Sequence, residues 1–478
     1  MPHTFRTAAE TADLVRRGEL SAAQAVKESL DRIAEINGDL NAFVQIDEAG
    51  ALEAAEEIDR RVSRGEDPGL LAGVPIGVKD MESCIGFRIT QGSVFLKDAP
   101  PETTDSRHVA RLRAAGAIPI GITAASEFGM DSATSTKLWG VTRNPWNTST
   151  TPGGSSGGSS AAVASGMVPL ATGTDAGGSI REPAAFTCLV GLKPSHGRIP
   201  KMNGFSNWSV HGILASDARD TARHLDVAAG PDDGDRQSLP RVPYSYENIL
   251  DTLDVRGMKA VWSPDYGYAA VEQEVTEIAR RATARIVEAA GLVMTDTRPS
   301  FINIYPHWGA IFGSTLEEDF INAGYLPDGY DQFSPCVQRV LTRVRAQRDQ
   351  INVKASWAQV HALEQQVAQF FSGHDLLFSP ATACRPYGAD DAPPSVIEGK
   401  DASQGRAEPF GMLANACWNP SISIPAGFTT DGLPVGVQIV ARRHRDDILL
   451  RLARIAEEVL PWPTPAYPVN APHRQRGS

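Results

Sequence analysis

The chain has 478 residues, of which 42% are hydrophobic and 21% are charged, and its formal net charge is −12. These proportions are typical of an ordinary folded protein and exclude a disordered or fibrous chain. The acidic excess argues against direct binding of nucleic acid, because phosphate contacts need basic patches.

The sequence also gives no sign of a membrane protein or of export. No run reaches the roughly 18 apolar residues of a membrane span, and the N-terminal stretch lacks the apolar centre of a signal peptide. We therefore expect a cytoplasmic protein that binds neither membrane nor nucleic acid.

Cysteines and histidines give no indication of a metal or disulfide site. The five cysteines are widely separated and form no C-x-x-C pair, and the ten histidines include no H-E-x-x-H motif. We therefore expect no metal and no other cofactor.

The N-terminal residues 1–70 predict a helical segment that packs on the core. The stretch from Ser21 to Gln24 is typical of a capping box, and Val26, Leu30 and Ile33 follow at helical spacing.

Strands and helices alternate through residues 71–240, which we expect to form the core and to carry the catalytic residues. Apolar strands are predicted at Val74–Asp80 and Ile118–Ile122, with a helix from Asp105 between them. A strand at Val168–Thr172 precedes a helix at Ile180–Phe186. This rhythm predicts an α/β fold, a single large domain with a mostly parallel mixed central β-sheet covered by helices on both faces.

The remaining chain predicts three further segments. Residues 241–410 form a variable region for substrate specificity, with helices at Val271–Ala290 and Val340–Phe371. The stretch Phe301–Tyr330 is rich in aromatic residues and has no clear period, so we interpret it as the rim of a substrate cleft. Residues 411–460 predict a return to the core sheet, with a helix at Asp446–Val459, and residues 461–478 predict a Pro-rich tail.

Two stretches rich in glycine and serine, Gly153–Ser160 and Gly173–Ser179, flank an apolar segment. Glycine allows positive φ angles and close approach, so backbone N–H groups at such turns can converge on an anion. A flexible linker would not alternate with apolar segments. We therefore predict two tight turns that bring serines to one edge of the sheet.

These serines fit two catalytic patterns. The G-x-S-x-G pattern at Gly153–Gly157 would make Ser155 the nucleophile of a hydrolase elbow, with His196 or His211 as its base. The other pattern is a serine nucleophile connected through a second serine to a lysine. Lys79 is the candidate lysine, because burial at the end of an apolar strand would lower the pKa of its amine.

Four linked motifs resemble those of the amidase signature family. They occur in the family order, with Ser155 and Ser179 separated by 24 positions. The likeness weakens between about Pro240 and Gly411, and Glu182 and His196 stand where many relatives have other residue types. The four motifs are G-V-P-x-x-x-K-D at Gly73–Asp80, G-G-S-S-G-G-S at Gly153–Ser159, G-T-D-x-G-G-S-I-R at Gly173–Arg181 and G-L-K-P at Gly191–Pro194.

The resemblance implies a role for each residue of a Ser-Ser-Lys relay. Ser179 is the nucleophile, Ser155 is a proton shuttle that follows a cis peptide bond after Gly154, and Lys79 is the general base. Ser156 ranks second to Ser155 as the shuttle, and the sequence alone does not separate them. The implied oxyanion hole consists of the backbone N–H groups of Ala176, Gly177, Gly178 and Ser179.

Other residues are expected to support the turn or to contact the substrate. Asp175 and Arg181 flank Ser179 and predict an ion pair that fixes the turn, with Ser156 as a further supporting residue. The expected substrate contacts are Gly129, Met130, Gly153, Gly154 and Trp418.

Three functions remain open. The first is an amidohydrolase that cleaves small or medium carboxamides through an acyl-enzyme. The second is the glutaminase subunit of a tRNA-dependent amidotransferase, which shares the signature and needs a partner chain; His196 and the divergent middle favour the first. The third is a binding protein that kept only the scaffold, against which the intact relay argues. A homodimer is the oligomer that base rates favour.

Overall fold

The strands and helices are defined in a computed structural model that describes residues 5–201, 207–347 and 352–463. The strands are β1 (Phe43–Ile46), β2 (Pro75–Lys79), β3 (Ile118–Thr123), β4 (Ser135–Thr136), β5 (Gly140–Val141), β6 (Leu170–Asp175), β7 (Val190–Lys193), β8 (Val210–Ala215), β9 (Lys259–Trp262), β10 (Val293–Met294), β11 (Leu376–Pro380), β12 (Val396–Ile397), β13 (Lys400–Asp401), β14 (Ser421–Phe428) and β15 (Pro434–Ala441). The helices are α1 (Ala8–Arg16), α2 (Ala22–Leu40), α3 (Glu48–Ser63), α4 (Arg107–Ala114), α5 (Gly157–Ala164), α6 (Arg181–Thr187), α7 (Ala218–Ala228), α8 (Tyr246–Ile249), α9 (Gln273–Ala290), α10 (Tyr305–Asn322), α11 (Pro335–Gln347), α12 (Val353–Gly373), α13 (Gly411–Ala416) and α14 (Asp446–Val459).

A mixed sheet of 11 strands runs through the described part of the chain in the order β1-β3-β2-β6-β8-β7-β14-β15-β11-β9-β10. Parallel pairing is confined to β3–β2–β6 and β11–β9–β10. The other neighbours pair antiparallel, as in the hairpin β14–β15. Hairpins need only a short turn, whereas parallel neighbours need a long crossover. The predicted single α/β domain with a mixed sheet is confirmed.

Helices cover both faces of the sheet, as predicted. Successive strand residues point to opposite faces, so Leu170 packs with α1 and α4 while Ala171 packs with α2 and α5. Further along the sheet, Ile439 packs with α9 and α14, and Val440 packs with α12 and α13. Full burial of each large apolar side chain stabilises the fold by about 1.5–3 kcal/mol. Among the described residues, no helix is long and apolar enough to cross a lipid bilayer.

The C-terminal segment returns to the middle of the sheet, where β14 and β15 lie between β7 and β11. The helix predicted at Asp446–Val459 is present with these bounds. The predicted tail at 461–478 lies outside the described residues from residue 464 onward. The other segment boundaries, 1–70, 71–240 and 241–410, stay predictions.

In the variable region, the helical character predicted for Val340–Phe371 is present, and the stretch without a clear period contains a helix that was not predicted. The aperiodic stretch Phe301–Tyr330 contains the helix α10, and Val340–Phe371 is divided between α11 and α12. The helical period of α10 is hard to recognise because Trp308 and Phe312, which are large and apolar, line a cavity as well as packing against the core. The expectation that this region borders a substrate cleft is nevertheless consistent with its position.

Candidate active site

Lys79 is the last residue of β2, every residue of which is buried. Its side chain is fully enclosed, and Nζ lies 2.8 Å from each of three hydroxyl oxygens, those of Ser155, Ser156 and Thr174. Desolvation lowers the pKa of Lys79 to about 7, although the charge of Glu82 opposes this shift. A substantial fraction of the amine is therefore neutral near pH 7.

Ser155 and Ser156 both contact the Lys79 amine, so this contact does not distinguish them. The peptide bond between Gly154 and Ser155 is cis, as the resemblance predicts. Ser155 lines a cavity that Ser179 also lines, whereas Ser156 does not line it. Position relative to the cavity therefore favours Ser155 over Ser156 as the connection to Ser179.

Ser179 lies on the turn between β6 and α6 and opens onto two cavities. Within the described residues, no hydrogen bond joins the hydroxyls of Ser155 and Ser179. Lys79 thus contacts Ser155, and Ser155 and Ser179 line the same cavity. The contact between the two serine hydroxyls is not formed.

The backbone of this turn differs from the predicted oxyanion hole at Gly178. The N–H of Gly178 donates a 2.8 Å hydrogen bond to the Asp175 carboxylate, so it is already occupied. In the described part of the protein, the N–H groups of Ala176, Gly177 and Ser179 have no hydrogen-bond partner. These three groups, and not Gly178, are available to an anion.

The predicted ion pair between Asp175 and Arg181 is present and buried. Arg181 Nε and Nη2 donate to the two carboxylate oxygens of Asp175 at 2.9 and 2.8 Å. Burial alone would raise the pKa of Asp175, but the charge and hydrogen bonds of Arg181 hold it at about 2. Arg181 also donates to Gln438 and Asn415, which belong to the C-terminal part of the chain. The turn is therefore fixed from both sides.

Two cavities, of about 320 and 770 Å³, meet at Ser179. The smaller one has an apolar wall from α10 and reaches Arg406 and Glu408, and the larger one extends toward Glu82 and His211. The residues that line both cavities are Gly129, Met130, Ala176, Ser179 and Trp308.

Of the predicted substrate contacts, Gly129 and Met130 line both cavities, but Gly153, Gly154 and Trp418 line neither. A Cβ at Gly154 would lie 2.4 Å from the carbonyl oxygen of Asp131, so this glycine serves close backbone packing. Gly153 is similarly packed against Pro183. The Trp418 ring stacks on His196 with 4.2 Å between centroids, outside the cavities.

A pair of buried carboxyl groups, Glu182 and Glu408, was not predicted as part of the site. Glu408 lines the smaller cavity, and its carboxylate is close enough to act on the pKa of Glu182. Burial and the mutual charge raise the pKa of Glu182 well above its usual value, and burial raises that of Glu408 to about 7. The unusual residue type at Glu182 was the available signal, but Glu408 lies 226 positions further along the chain.

The histidines proposed as partners for an elbow serine are engaged elsewhere. A ring nitrogen of His196 lies 3.1 Å from Gln237 Oε1, and His211 Nδ1 lies 3.0 Å from the Glu82 carboxylate. Neither histidine is hydrogen-bonded to Ser155 in the part of the chain that the structure describes. The arrangement therefore favours the lysine relay over the elbow.

Sequence reasoning missed the grouping of Glu82, His108 and His211, which have metal-ligating atoms close together. These residues come from three separate elements, so no local motif connects them. The five cysteines are buried and free, and none belongs to this group.

The site combines an enclosed lysine, serine hydroxyls in contact with it, and a glycine turn with free N–H groups. These are the parts that acyl transfer by a serine requires. A family model described as Amidase matches residues 24–450, and the chain therefore belongs to the amidase signature family.

Relatives with different roles match over nearly the whole chain. An acylamidase of Rhodococcus erythropolis is 34% identical over 95% of this chain and 96% of its own. A glutamyl-tRNA(Gln) amidotransferase subunit of Salinispora tropica is also 34% identical, over 97% and 99%. The solved structure of a bacterial aryl acylamidase of the amidase signature family superimposes with a TM-score of 0.89 at 29% identity, over 97% and 98% of the two chains.

Proposed function

We propose that this protein hydrolyses the C–N bond of small or medium linear carboxamides, with Ser179 as nucleophile, Ser155 as proton shuttle and Lys79 as general base. The observation that carries the proposal is the enclosed Lys79 amine, 2.8 Å from Ser155 Oγ, beside a cavity that Ser179 shares. An alcohol needs such a base to become an effective nucleophile at neutral pH.

The first half of the reaction forms an ester. Neutral Lys79 accepts the Ser155 proton while Ser155 accepts the proton of Ser179, whose oxygen attacks the carbonyl carbon. The negative oxygen of the tetrahedral intermediate accepts hydrogen bonds from the N–H groups of the 176–179 turn, excluding that of Gly178. Loss of one such donor typically costs about 3–4 kcal/mol of barrier. The proton returns through Ser155 to the leaving nitrogen as the C–N bond breaks.

The second half returns the enzyme to its starting state. A water molecule replaces the departed amine and gives a proton to the same relay. Its oxygen attacks the ester carbonyl, the bond to Ser179 breaks, and Ser179 takes back a proton as the acid leaves. The open contact between Ser155 and Ser179 is compatible with this cycle, because catalytic hydrogen bonds often tighten only when substrate is bound.

The walls of the smaller cavity support an apolar substituent on the substrate. Trp308, Phe312 and Met412 line it, and apolar or aromatic walls with a few polar groups are typical of small-molecule sites. The similarity to acylamidases agrees with an aryl or alkyl amide as substrate.

A nucleophile test uses Ser179→Ala and the matched control Ser159→Ala. Ser159 is a buried serine of the same glycine-rich region, and its hydroxyl donates to the Thr172 carbonyl rather than to the relay. We expect Ser179→Ala to lose at least 10³-fold in kcat/KM on an anilide and to lose labelling by a fluorophosphonate, while Ser159→Ala stays labelled. Hydrolysis by Ser179→Ala at the wild-type rate would contradict the proposal.

A second candidate is the glutaminase subunit of a tRNA-dependent amidotransferase, favoured by the 34% identity to the amidotransferase chain of Salinispora tropica. Such a protein would release ammonia from glutamine and need partner chains, whereas the first candidate would act alone on anilides. Assaying the isolated chain on both substrates, with and without tRNA and co-purifying partners, distinguishes them. A cytoplasmic location and a homodimer stay predictions from the sequence.

A further inference from the structure

A group of metal-ligating side chains lies beside the larger cavity, which Glu82 and His211 line. Glu82 follows β2, His108 belongs to α4 and His211 belongs to β8. One ligating atom from each residue lies within 4.8 Å of the others. The carboxylate and the His108 side chain are fully buried, and the His211 side chain is 12% exposed. Three elements therefore bring two imidazoles and one carboxylate to one point.

The polar atoms of this group are incompletely satisfied. Glu82 Oε2 lies 2.9 Å from His108 Nδ1 and 3.0 Å from His211 Nδ1. His211 Nδ1 is nevertheless out of line for a hydrogen bond, and the other carboxylate oxygen, Oε1, has no partner among the described residues. An unpaired buried polar atom is costly, more so on a charged group. An ion bound to the carboxylate and to His211 Nδ1 would give that nitrogen a partner, and it would also satisfy Oε1 where both carboxylate oxygens bind it.

We propose that Glu82, His108 and His211 bind one divalent transition-metal ion of the zinc class. Two imidazole nitrogens and one carboxylate oxygen are a common ligand set for zinc, with a fourth position left to water or substrate. Ligands about 2.0–2.1 Å from a tetrahedral ion lie roughly 3.3 Å apart. The distances of 2.9 and 3.0 Å from Glu82 to the two histidines are a few tenths of an ångström shorter. Glu82 would therefore need to move only slightly from each histidine, and the ligating atoms of the two histidines lie within 4.8 Å of each other.

A neighbouring histidine supplies the support that a ligating imidazole usually has. His108 Nε2 lies 2.7 Å from His224 Nε2, and His224 is buried in α7. A metal-bound histidine commonly donates its other N–H to a neighbouring acceptor, which fixes the tautomer and the ring orientation. With Nδ1 on the ion, His108 would donate from Nε2 to His224.

The fourth position would face the cavity rather than the core. Glu82 and His211 both line the larger cavity, which Ser155 and Ser179 also line. A bound ion would therefore be accessible to solvent and to a metal-binding group of a ligand in that cavity. This site shares no side chain with the relay, although the charge of Glu82 acts on the pKa of Lys79. Its existence does not depend on the proposed hydrolysis.

The binding test uses the full chain, freed of metal by dialysis against a chelator and carrying no histidine tag, with Zn²⁺ alone as the probe. We expect one equivalent to bind with a Kd of about 1 μM or tighter in competition with a chromophoric chelator. Glu82→Gln and His211→Asn should each weaken binding at least 100-fold, while His361→Asn, at an exposed histidine of α12, should leave it unchanged. Zn²⁺ binding that is equal in all four proteins would overturn the proposal.

X-ray absorption of the Zn²⁺-loaded wild-type protein gives a second measurement that does not depend on variants that fold. We expect two imidazole nitrogens and one or two oxygens at about 2.0–2.1 Å and no sulfur ligand. A sulfur shell at about 2.3 Å would place the ion on a cysteine and overturn the assignment. So would the lack of any saturable binding, which would leave the group as a hydrogen-bonded cluster only.

Discussion

A single buried amine determines the pH range in which the proposed relay can act. The Lys79 amine contacts hydroxyl groups and no carboxylate, so nearby negative charges compensate its burial only in part and its pKa is lowered to about 7. A general base with a pKa near the working pH combines a useful neutral fraction with sufficient basicity.

We therefore expect the rate of acyl-enzyme formation to rise with pH and to level off above about pH 7, because the ammonium form of Lys79 cannot accept a proton. Single-turnover release of an aniline between pH 5 and 9 measures this. Lys79→Ala should lower this rate at least 10³-fold at pH 7 and should remove its rise with pH. A rate that falls through pH 7 in the wild-type protein would contradict the assignment of Lys79 as base.

The buried pair Glu182 and Glu408 predicts that the free energy of unfolding also depends on pH. The pKa of Glu182 is raised because burial and the neighbouring carboxylate disfavour its charged form. In the unfolded chain, the carboxyl group of Glu182 has the ordinary glutamate pKa of about 4.3. As pH rises above this value, the unfolded state gains relative stability.

Glu182→Gln keeps the size of the side chain and removes this charge. We expect the variant to have a higher free energy of unfolding than the wild type at pH 8, by about 1–3 kcal/mol, and a smaller difference at pH 5. Urea unfolding at the two pH values measures it, with the exposed Glu53→Gln as control. A variant that loses stability more at pH 8 than at pH 5 would show that Glu182 is stabilised as a carboxylate.

The glycine turn between β6 and α6 offers two glycines with different requirements. Gly178 has a φ of +138°, and a Cβ there would lie 2.4 Å from a Glu408 carboxylate oxygen. Gly177 lacks a positive φ, and its Cβ would meet only the side chain of Met412, at 3.2 Å from Cε and 3.3 Å from Cγ. Only the first position therefore requires glycine for its conformation.

We expect Gly178→Ala to lower kcat at least 100-fold, because a side chain in this conformation would rotate the neighbouring N–H groups away from the oxyanion. Gly177→Ala should retain kcat within about 10-fold and change KM instead, since the added methyl group projects toward the smaller cavity that Gly177 lines. Steady-state kinetics on one anilide compares them. Equal losses of kcat in the two variants would show that the turn tolerates no Cβ and that conformation is not the cause.

The sequence predicts those parts of the site that lie in local motifs. Lys79 ends an apolar strand and Ser179 precedes a helix, so their positions follow from the pattern of β2 and of β6–α6. Trp418, predicted as a substrate contact, lines neither of the two cavities, and its positive φ and its stacking on His196 depend on the fold. The pairing of Glu182 with Glu408 likewise depends on contacts between distant segments.

The same limit applies to the sheet. Alternating strands and helices predict the parallel groups near its two ends, but not the insertion of β14 and β15 between β7 and β11. That insertion brings the C-terminal part of the chain against the turn between β6 and α6, where Gln438 of β15 accepts a hydrogen bond from Arg181. The molecule therefore completes its site only when its last strands are in place.

Asn415 in α13 makes this connection directly. Its side chain accepts from Arg181 at 2.6 Å and donates to the Asp175 carbonyl at 2.8 Å. Asn419 is buried a few residues later, but its side chain donates to the Ala441 carbonyl and does not contact the turn. The two residues form a matched pair, because Asn415 is hydrogen-bonded to the turn and its flanking residues whereas Asn419 is not.

We expect Asn415→Ala and Asn419→Ala to lose similar stability, about 1–3 kcal/mol each, because each leaves buried partners without a hydrogen bond. Only Asn415→Ala should also lower kcat, by 10-fold or more at a temperature where both variants are folded, since it releases the turn that carries the free N–H groups. Urea unfolding combined with kcat and KM on one anilide separates the two effects. If kcat fell equally in both variants, the C-terminal segment would support the fold without positioning the turn.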